Sequence, residues 1–132
     1  MISIFRISII ISVVVYALFM AKPYFDSSFH SEDLLDILSW NGYEAILTLP
    51  EWFGWVTILI WLPVSIGMYY FHSLSRTIYL VLAIVFALTA PLFGAATFTG
   101  TDIMLYQLTA FLDGVILTMA YLTSVSVQFN KA

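Results

Sequence analysis

The chain has 132 residues, of which 62% are hydrophobic and only 9% are charged. Soluble domains are about half apolar and a quarter charged, so this composition excludes that class and indicates that a lipid bilayer is the solvent. The chain has no cysteine, which excludes disulfides, thiolate metal sites and thiol nucleophiles, and its net charge of −4 is informative mainly through its distribution.

Four apolar stretches are long enough for a helix to cross a hydrocarbon core of roughly 30 Å, which takes about 20 residues. Their continuous hydrophobicity favours helices, because barrel strands alternate over about ten residues. The first stretch also has features of a secretory signal peptide, but we expect it to be retained as a membrane anchor. The predicted spans are residues 3–21, 50–71, 77–97 and 103–126.

The connections between these spans differ in length. About five residues join the second span to the third, and about five join the third to the fourth. Short connections make neighbouring helices antiparallel. The sequence therefore predicts an all-α integral membrane protein, with a four-helix antiparallel bundle forming one domain over residues 1–132. The non-membrane structure must lie in the long first loop, residues 22–49.

A short helix is predicted within this loop. Ser31 is a favourable N-cap, and Asn41 with Gly42 supplies a stop signal. At about 100° per residue, apolar and acidic side chains separate onto opposite faces, which is typical of a helix lying in the membrane interface. The apolar face holds Leu34, Leu35, Ile37 and Leu38, and the polar face holds Glu32, Asp33, Asp36 and Ser39, with Trp40 at the border.

Charged residues are divided between the two sides of the predicted bundle. Seven of the eight acids lie on one side: five in the first loop, Glu51 at the start of the second span and Asp102 in the connection before the last span. Arg6, Arg76 and Lys131 lie on the other side, and only Lys22 accompanies the acids. Positive residues near span ends set orientation. We therefore expect both termini to be cytoplasmic, the loop at 22–49 to be extracytoplasmic, and the membrane to be the bacterial inner membrane. Aromatic residues near span ends are predicted interface anchors: Trp40, Trp52, Trp55, Tyr69 and Tyr70.

Small residues recur at four-residue spacing on the last two spans. Such rows let helix backbones approach closely in lipid. Because a short loop already makes these spans neighbours, we expect the two rows to pack against each other, and a homo-oligomeric contact is the alternative. The rows are Ala83, Ala87, Pro91 and Ala95 on the third span, and Ala110, Gly114 and Thr118 on the fourth.

Asp113 is the only acid near the centre of a predicted span. An ionised carboxylate there is costly, so such residues usually face a protein interior or a water path. No basic residue lies at its depth, and we expect its neutral form to donate to the Ala87 carbonyl, which Pro91 leaves without its usual donor. Thr89 and Ser12 are further candidate partners. A salt bridge to another subunit and a proton or cation path remain as alternatives.

No catalytic residue, metal site or cofactor is predicted, because the acids lack EF-hand spacing and the two histidines lie at opposite faces. There is no basic patch for nucleic acid. The sequence favours a non-enzymatic subunit or scaffold of a membrane complex, with the lipid bilayer and either other subunits or further copies of itself as partners. The alternative is a small oligomeric channel, transporter or membrane-disrupting effector that uses Asp113 as a proton or cation site.

Overall fold

The computed structural model describes residues 1–22, 24–25, 28, 30–38, 42, 44–48, 50 and 52–130. Within these residues the regular elements are helices, apart from a single bridge residue at Ala95. The helices are α1 (Ile2–Ala21), α2 (Glu32–Leu38), α3 (Phe53–Tyr69), α4 (Ser73–Thr89), a 3₁₀ turn (Ala90–Phe93), α5 (Gly100–Leu122) and a C-terminal 3₁₀ helix (Ser124–Asn130).

Three of these segments are long and apolar enough to cross a bilayer: α1, α4 with its 3₁₀ turn, and α5. The all-helical fold class is therefore confirmed for the described residues, and the three long apolar helices fit the membrane protein that the composition predicts. Helix α3 is apolar but shorter, with 17 residues against the 22 of the predicted second span. The chain forms turns at Trp52 before the helix and at Tyr70 and Phe71 after it, which accounts for the difference.

The third helix ends earlier than the sequence predicted. Helix α4 begins at Ser73 and stops at Thr89, where Pro91 falls in the 3₁₀ turn, whereas the predicted span ran over residues 77–97. Gly94 follows with φ 76° and ψ −158°, a conformation that only glycine adopts readily. Pro91 has no amide hydrogen to donate to Ala87, and the Gly94 conformation that follows is not helical, so the chain turns here instead of reaching Thr97.

Helix α5 begins earlier than predicted because Thr99 and Asp102 form a reciprocal cap. The Thr99 hydroxyl accepts from the Asp102 amide at 3.2 Å, and the Asp102 carboxylate accepts from the Thr99 amide at 2.8 Å. These bonds satisfy amides that have no partner within the helix. At its other end the chain leaves the helix at Thr123 and folds back as the C-terminal 3₁₀ helix, whose Val125 and Phe129 are buried.

The packing of the helices differs from the predicted one. Helix α5 packs mainly against α1, and α3 packs against α4 and α1, while α4 touches α5 at few positions. The small-residue rows do not form that contact: Ala83 is half-buried, and the remaining members are exposed. Helix α1 forms the main contact with α5 instead, and Tyr79 reaches α5 from α4 through its hydrogen bond to Asp113. The exposed members are Ala87, Pro91, Ala95, Ala110, Gly114 and Thr118.

The first loop contains the predicted short helix, α2, and hydrogen bonds join the loop to the connection between α4 and α5, one of them from the Thr97 hydroxyl to the Leu38 carbonyl at 3.3 Å. The acids of α2 are exposed and Leu34, Leu35 and Leu38 are half-buried, although Ile37 is exposed. Backbone bonds join Gly42 to Ala95 at 2.8 Å, and Ile46 and Leu47 to the Leu92 carbonyl. The predicted border residue Trp40 and the polar-face residue Ser39 lie outside the described residues.

The turn between α3 and α4 brings two helix backbones close together. Phe71 has φ 63°, and the His72 amide donates to the Gly67 carbonyl at 2.9 Å, which closes the end of α3. A Cβ atom on Gly67 would lie 2.7 Å from the Cβ of Ser75 and closer still to its hydroxyl. Gly67 is therefore required by the approach of α4.

We predict that Gly67→Ala destabilises the fold by about 1–3 kcal/mol, the usual cost of overpacking a tight contact. The matched control is Gly114→Ala, because a Cβ there meets nothing within 4 Å, and alanine in a helix should add up to about 1 kcal/mol of stability. Unfolding in mixed detergent micelles, followed by circular dichroism, measures both. Equal stability of the two variants would contradict the close approach.

Candidate functional site

Asp113 lies between three helices and is hydrogen-bonded within the chain. The Tyr79 hydroxyl of α4 donates to Asp113 Oδ1 at 2.6 Å. The Ser12 hydroxyl of α1 donates to the same oxygen at 3.5 Å, which is a long contact. Tyr79 and Ser12 are almost completely buried, at 1% and 2% exposure, and Asp113 is half-buried. We call Asp113, Tyr79 and Ser12 the carboxyl site.

The three residues meet because α1 and α4 begin, and α5 ends, at the same end of the bundle. Ser12 lies ten residues after Ile2, Asp113 nine residues before Leu122, and Tyr79 six residues after Ser73. At 1.5 Å per residue these positions are about 15, 14 and 9 Å from that end. The long tyrosine side chain covers the remaining distance to the carboxyl group.

The predicted partners of Asp113 are not those that the structure brings together. Ala87 is exposed, and the Thr89 hydroxyl donates to the Val85 carbonyl of its own helix at 2.8 Å. Asp113 accepts hydrogen bonds where we expected it to donate. The prediction counted depth from the acidic end and assumed that the third helix continued to Thr97, which misplaced Ala87. Of the predicted group, only Ser12 reaches the carboxyl.

Aromatic rings cover the carboxyl site on the α3 side. The Trp61 ring lies on Tyr79 with 4.6 Å between centroids, and Tyr16 lies on the other side of Trp61 at 5.7 Å. The Tyr16 hydroxyl donates to Thr57 at 3.0 Å, which links α1 to α3. Such ring pairs contribute about 0.5–1.5 kcal/mol each beyond their buried area. Tyr79 is thus held in place by its ring as well as by its hydroxyl.

Three phenylalanines close one end of the bundle, and we call Phe5, Phe71 and Phe129 the aromatic cluster. Their centroids are 5.4–5.9 Å apart. The Arg6 guanidinium lies 5.2 Å from the Phe71 ring, and the Arg76 guanidinium lies 5.1 Å from Phe129. Cation–π contacts of this kind contribute roughly 0.5–2 kcal/mol, depending on desolvation. The N-terminus, the α3–α4 turn and the C-terminal 3₁₀ helix therefore form one packed end.

The opposite end of α1 is joined to α5 by an ion pair. Lys22 Nζ lies 2.9 Å from Asp102 Oδ1, and both side chains are largely covered, at 12% and 15% exposure. Asp102 also caps α5 through Thr99. One carboxylate thus starts a helix and fixes the end of its neighbour.

The predicted interface anchors that the structure describes lie at the two ends of α3. Trp52 and Trp55 are exposed near its beginning, and Tyr70 is exposed after its end. Tyr69 is half-buried under the Arg6 guanidinium, 4.9 Å from its ring centroid. Trp40 lies outside the described residues. Their role at a membrane interface stays a prediction.

No family model, curated protein or solved structure matches this chain, so its function has to be inferred from its own residues. Among the described residues, no group of three or more His, Asp or Glu side chains is placed to hold a metal ion. The carboxyl site is the one place in the described bundle where an acid, a phenol and a hydroxyl meet in an apolar interior. Sequence analysis missed Tyr79, although its distance from the short α3–α4 connection indicates its depth.

We predict that Tyr79→Phe destabilises the bundle by about 0.6–2 kcal/mol, the range for hydrogen bonds between membrane helices. The variant keeps the ring on Trp61 and removes only the donor to Asp113. Asp113→Asn should cost less, since its amide oxygen still accepts. Unfolding in mixed micelles measures these changes, with Tyr106→Phe as the control because its ring is 57% exposed. A loss in Tyr106→Phe as large as that in Tyr79→Phe would contradict this role.

Proposed function

We propose that the protein crosses the membrane four times, through α1, α3, α4 and α5, in an antiparallel bundle. Helix α3 spans about 26 Å at 1.5 Å per residue, and 17 residues is the short limit for a transmembrane helix. The contacts at the two ends support alternating directions. Phe5 near the start of α1 meets Phe71 after the end of α3, and Lys22 at the end of α1 pairs with Asp102 at the start of α5.

The orientation that the charges favour has both termini in the cytoplasm of a bacterial cell and the first loop outside. Arg6 and Arg76 both lie against the aromatic cluster, at the end that carries both chain termini. Lys22, the basic residue on the acidic side, is paired with Asp102, and this ion pair has little net charge to oppose the two arginines. Positive residues on the cytoplasmic side are the usual determinant of orientation.

Reporter fusions test this topology. A periplasm-active phosphatase fused after Asn130 should give no activity, and the same enzyme inserted after Glu44 in the first loop should be active, because translocation exposes only the loop. A cytoplasm-active reporter at the same two sites should give the reverse pattern. Phosphatase activity after Asn130 would contradict the orientation. Equal phosphatase activity at the two sites would contradict the three spans proposed between them, and with them the even number of spans between the termini.

The proposed biochemical role is that of a non-enzymatic subunit or scaffold in a membrane complex. The observation that carries this proposal is the uncovered surface of α4. Of its 17 residues only Tyr79 is buried, and every residue from Ile84 to Leu88 is exposed. A small residue, Ala87, lies in this surface, where a partner helix can approach closely. The partner is another membrane subunit or a second copy of the chain.

The alternative role as a proton or cation site has one supporting observation. Asp113 accepts from two hydroxyl groups, and a carboxyl within a membrane bundle is a functional candidate by default. However, the described residues bring no second acid and no histidine to the carboxyl site, so a relay to either surface lacks its next group. The hydrogen bonds within the chain therefore favour a structural Asp113.

We predict that Ala87→Phe disrupts the complex. Extraction from the native membrane in mild detergent, followed by mass determination, should give an assembly larger than the monomer for the wild type and a smaller species for Ala87→Phe. A phenylalanine there separates the helix backbones without touching the described core. Leu88→Phe is the matched control, since Leu88 is 72% exposed and is already large.

A wild-type protein that is monomeric on extraction would contradict the scaffold role. Proteoliposomes then distinguish the alternative, because a proton flux above that of protein-free liposomes, lost in Asp113→Asn, would assign the ion-site function. Under the scaffold role the flux is the same for the wild type, Asp113→Asn and empty liposomes.

A further inference from the structure

A groove runs along the outer surface of the bundle between α1 and α3, towards the end that carries the aromatic cluster. Its volume is about 400 Å³, and its wall is mostly apolar. The α1 side is lined by Ile9, Ile10, Val13 and Val14, which share one helix face at this spacing. Arg6 precedes Ile9 by three residues and Ile10 by four, so it lies on the same face, one turn nearer to the start of α1.

Contacts with the α3 side hold the Arg6 side chain at this end of the groove. Tyr69 lines the groove, and its ring centroid lies 4.9 Å from the Arg6 Cζ atom. The Arg6 Nε atom also donates to the Tyr69 carbonyl at 3.4 Å, which is a long contact. Tyr70 lines the same end and is 62% exposed. The guanidinium group therefore lies between the two helices, where the groove reaches the end of the bundle.

The guanidinium group retains donors that the chain does not use. Its contacts are the Tyr69 carbonyl and the rings of Tyr69 and Phe71. Among the described residues, no group accepts from the two Nη atoms of Arg6, no acid pairs with it, and neither Nη atom is buried. A guanidinium group binds phosphate bidentately through such donors. The end of the groove is therefore suited to an anion.

The groove becomes apolar with distance from Arg6. Ser65 lines it four residues before Tyr69, or about 6 Å along the helix axis. Beyond Ser65 the lining residues are apolar, and they reach Leu62 on α3 and Val14 on α1, which is about 12 Å from Arg6. A phospholipid has its phosphate, ester and acyl chain in the same order. Half of a hydrocarbon core is about 15 Å thick, so one chain of one leaflet matches this length.

We propose that the groove binds one anionic phospholipid, with its phosphate on the Arg6 Nη atoms and one acyl chain along the apolar wall. A net negative headgroup is favoured because no acid lies beside Arg6 to attract the cation of a zwitterionic one. Basic sites between membrane helices bind anionic headgroups in this way. In the proposed orientation the lipid belongs to the cytoplasmic leaflet. The inference rests on the membrane placement of α1 and α3 and not on the scaffold role.

Lipid binding to the purified full-length protein in mild detergent tests this site. The probes are phosphatidylglycerol and phosphatidylcholine with identical acyl chains. Native mass spectrometry counts the lipids that are retained, and the unfolding temperature rises when a ligand binds the folded state. The wild type should retain one phosphatidylglycerol and bind it about three- to tenfold more tightly than phosphatidylcholine, the effect of one basic residue on an anionic lipid.

Two pairs of variants assign the lipid to the groove. Arg6→Gln should reduce the preference to about one, whereas Arg76→Gln should keep it, because that guanidinium contacts Phe129 outside the groove. Ile10→Trp fills the groove at a position that is 52% exposed, so it should weaken both lipids while the fold is preserved. Ile11→Trp is its control, since Ile11 is 44% exposed and lies outside the groove. The second pair keeps the test valid if Arg6→Gln does not fold.

Four results would overturn the proposal. Equal affinity of the wild type for the two lipids would mean that any acyl chain fills the groove, and a preference that survives in Arg6→Gln would place the headgroup elsewhere. Displacement of the lipid by glycerol 3-phosphate would assign Arg6 to a soluble phosphate. A lower protein mass in micelles for Ile10→Trp, with unchanged lipid binding, would assign the groove to a second copy of the chain. The scaffold role is judged separately, by Ala87→Phe.

Discussion

The hydrogen bond from Tyr79 to Asp113 is the contact on which the arrangement of α1, α4 and α5 depends. In an apolar interior a carboxyl group without partners is strongly unfavourable, so its position fixes where hydroxyl groups must be. Tyr79 meets that requirement at 2.6 Å and is the sole buried residue of α4. Ser12 brings α1 to the same oxygen. The one acid of the interior thus determines the depth at which three helices are aligned.

The two ends of the bundle are held by different forces. At the end with the start of α1 and the C-terminal 3₁₀ helix, the aromatic cluster is flanked by Arg6 and Arg76, whose guanidinium groups lie over the rings and pair with no acid among the described residues. At the other end Lys22 and Asp102 form an ion pair that also caps α5. This difference follows from the charge distribution, since the described acids other than Asp113 lie on the loop side, and both arginines contact aromatic rings instead.

Much of the fold follows from the sequence, but the partners of Asp113 do not. Continuous hydrophobicity predicted α1 almost to the residue. The separation of leucines and acids onto opposite faces at helical spacing predicted α2. Both predictions depend on local patterns. The predicted depth of Ala87 depended on where α4 ends. A proline followed by a glycine at positive φ places that end several residues before the predicted one. Tyr79 was overlooked because a tyrosine in an apolar run resembles any other core residue until a carboxyl faces it. The small-residue rows were assigned to the wrong contact, since spacing describes a face and does not identify what covers it.

Whether the exposed half of α4 is stable depends on the solvent as well as on binding partners. The first half is held by the close approach of Gly67 and Ser75, by Tyr79 and by Arg76, while the residues from Ile84 to Leu88 touch little. In water such a surface would be strongly destabilising. In a bilayer lipid tails are as apolar as leucine, so exposure costs little and burial alone contributes little. Association there would depend on how closely backbones approach, and for that reason the proposed contact is centred on Ala87 and not on its larger neighbours.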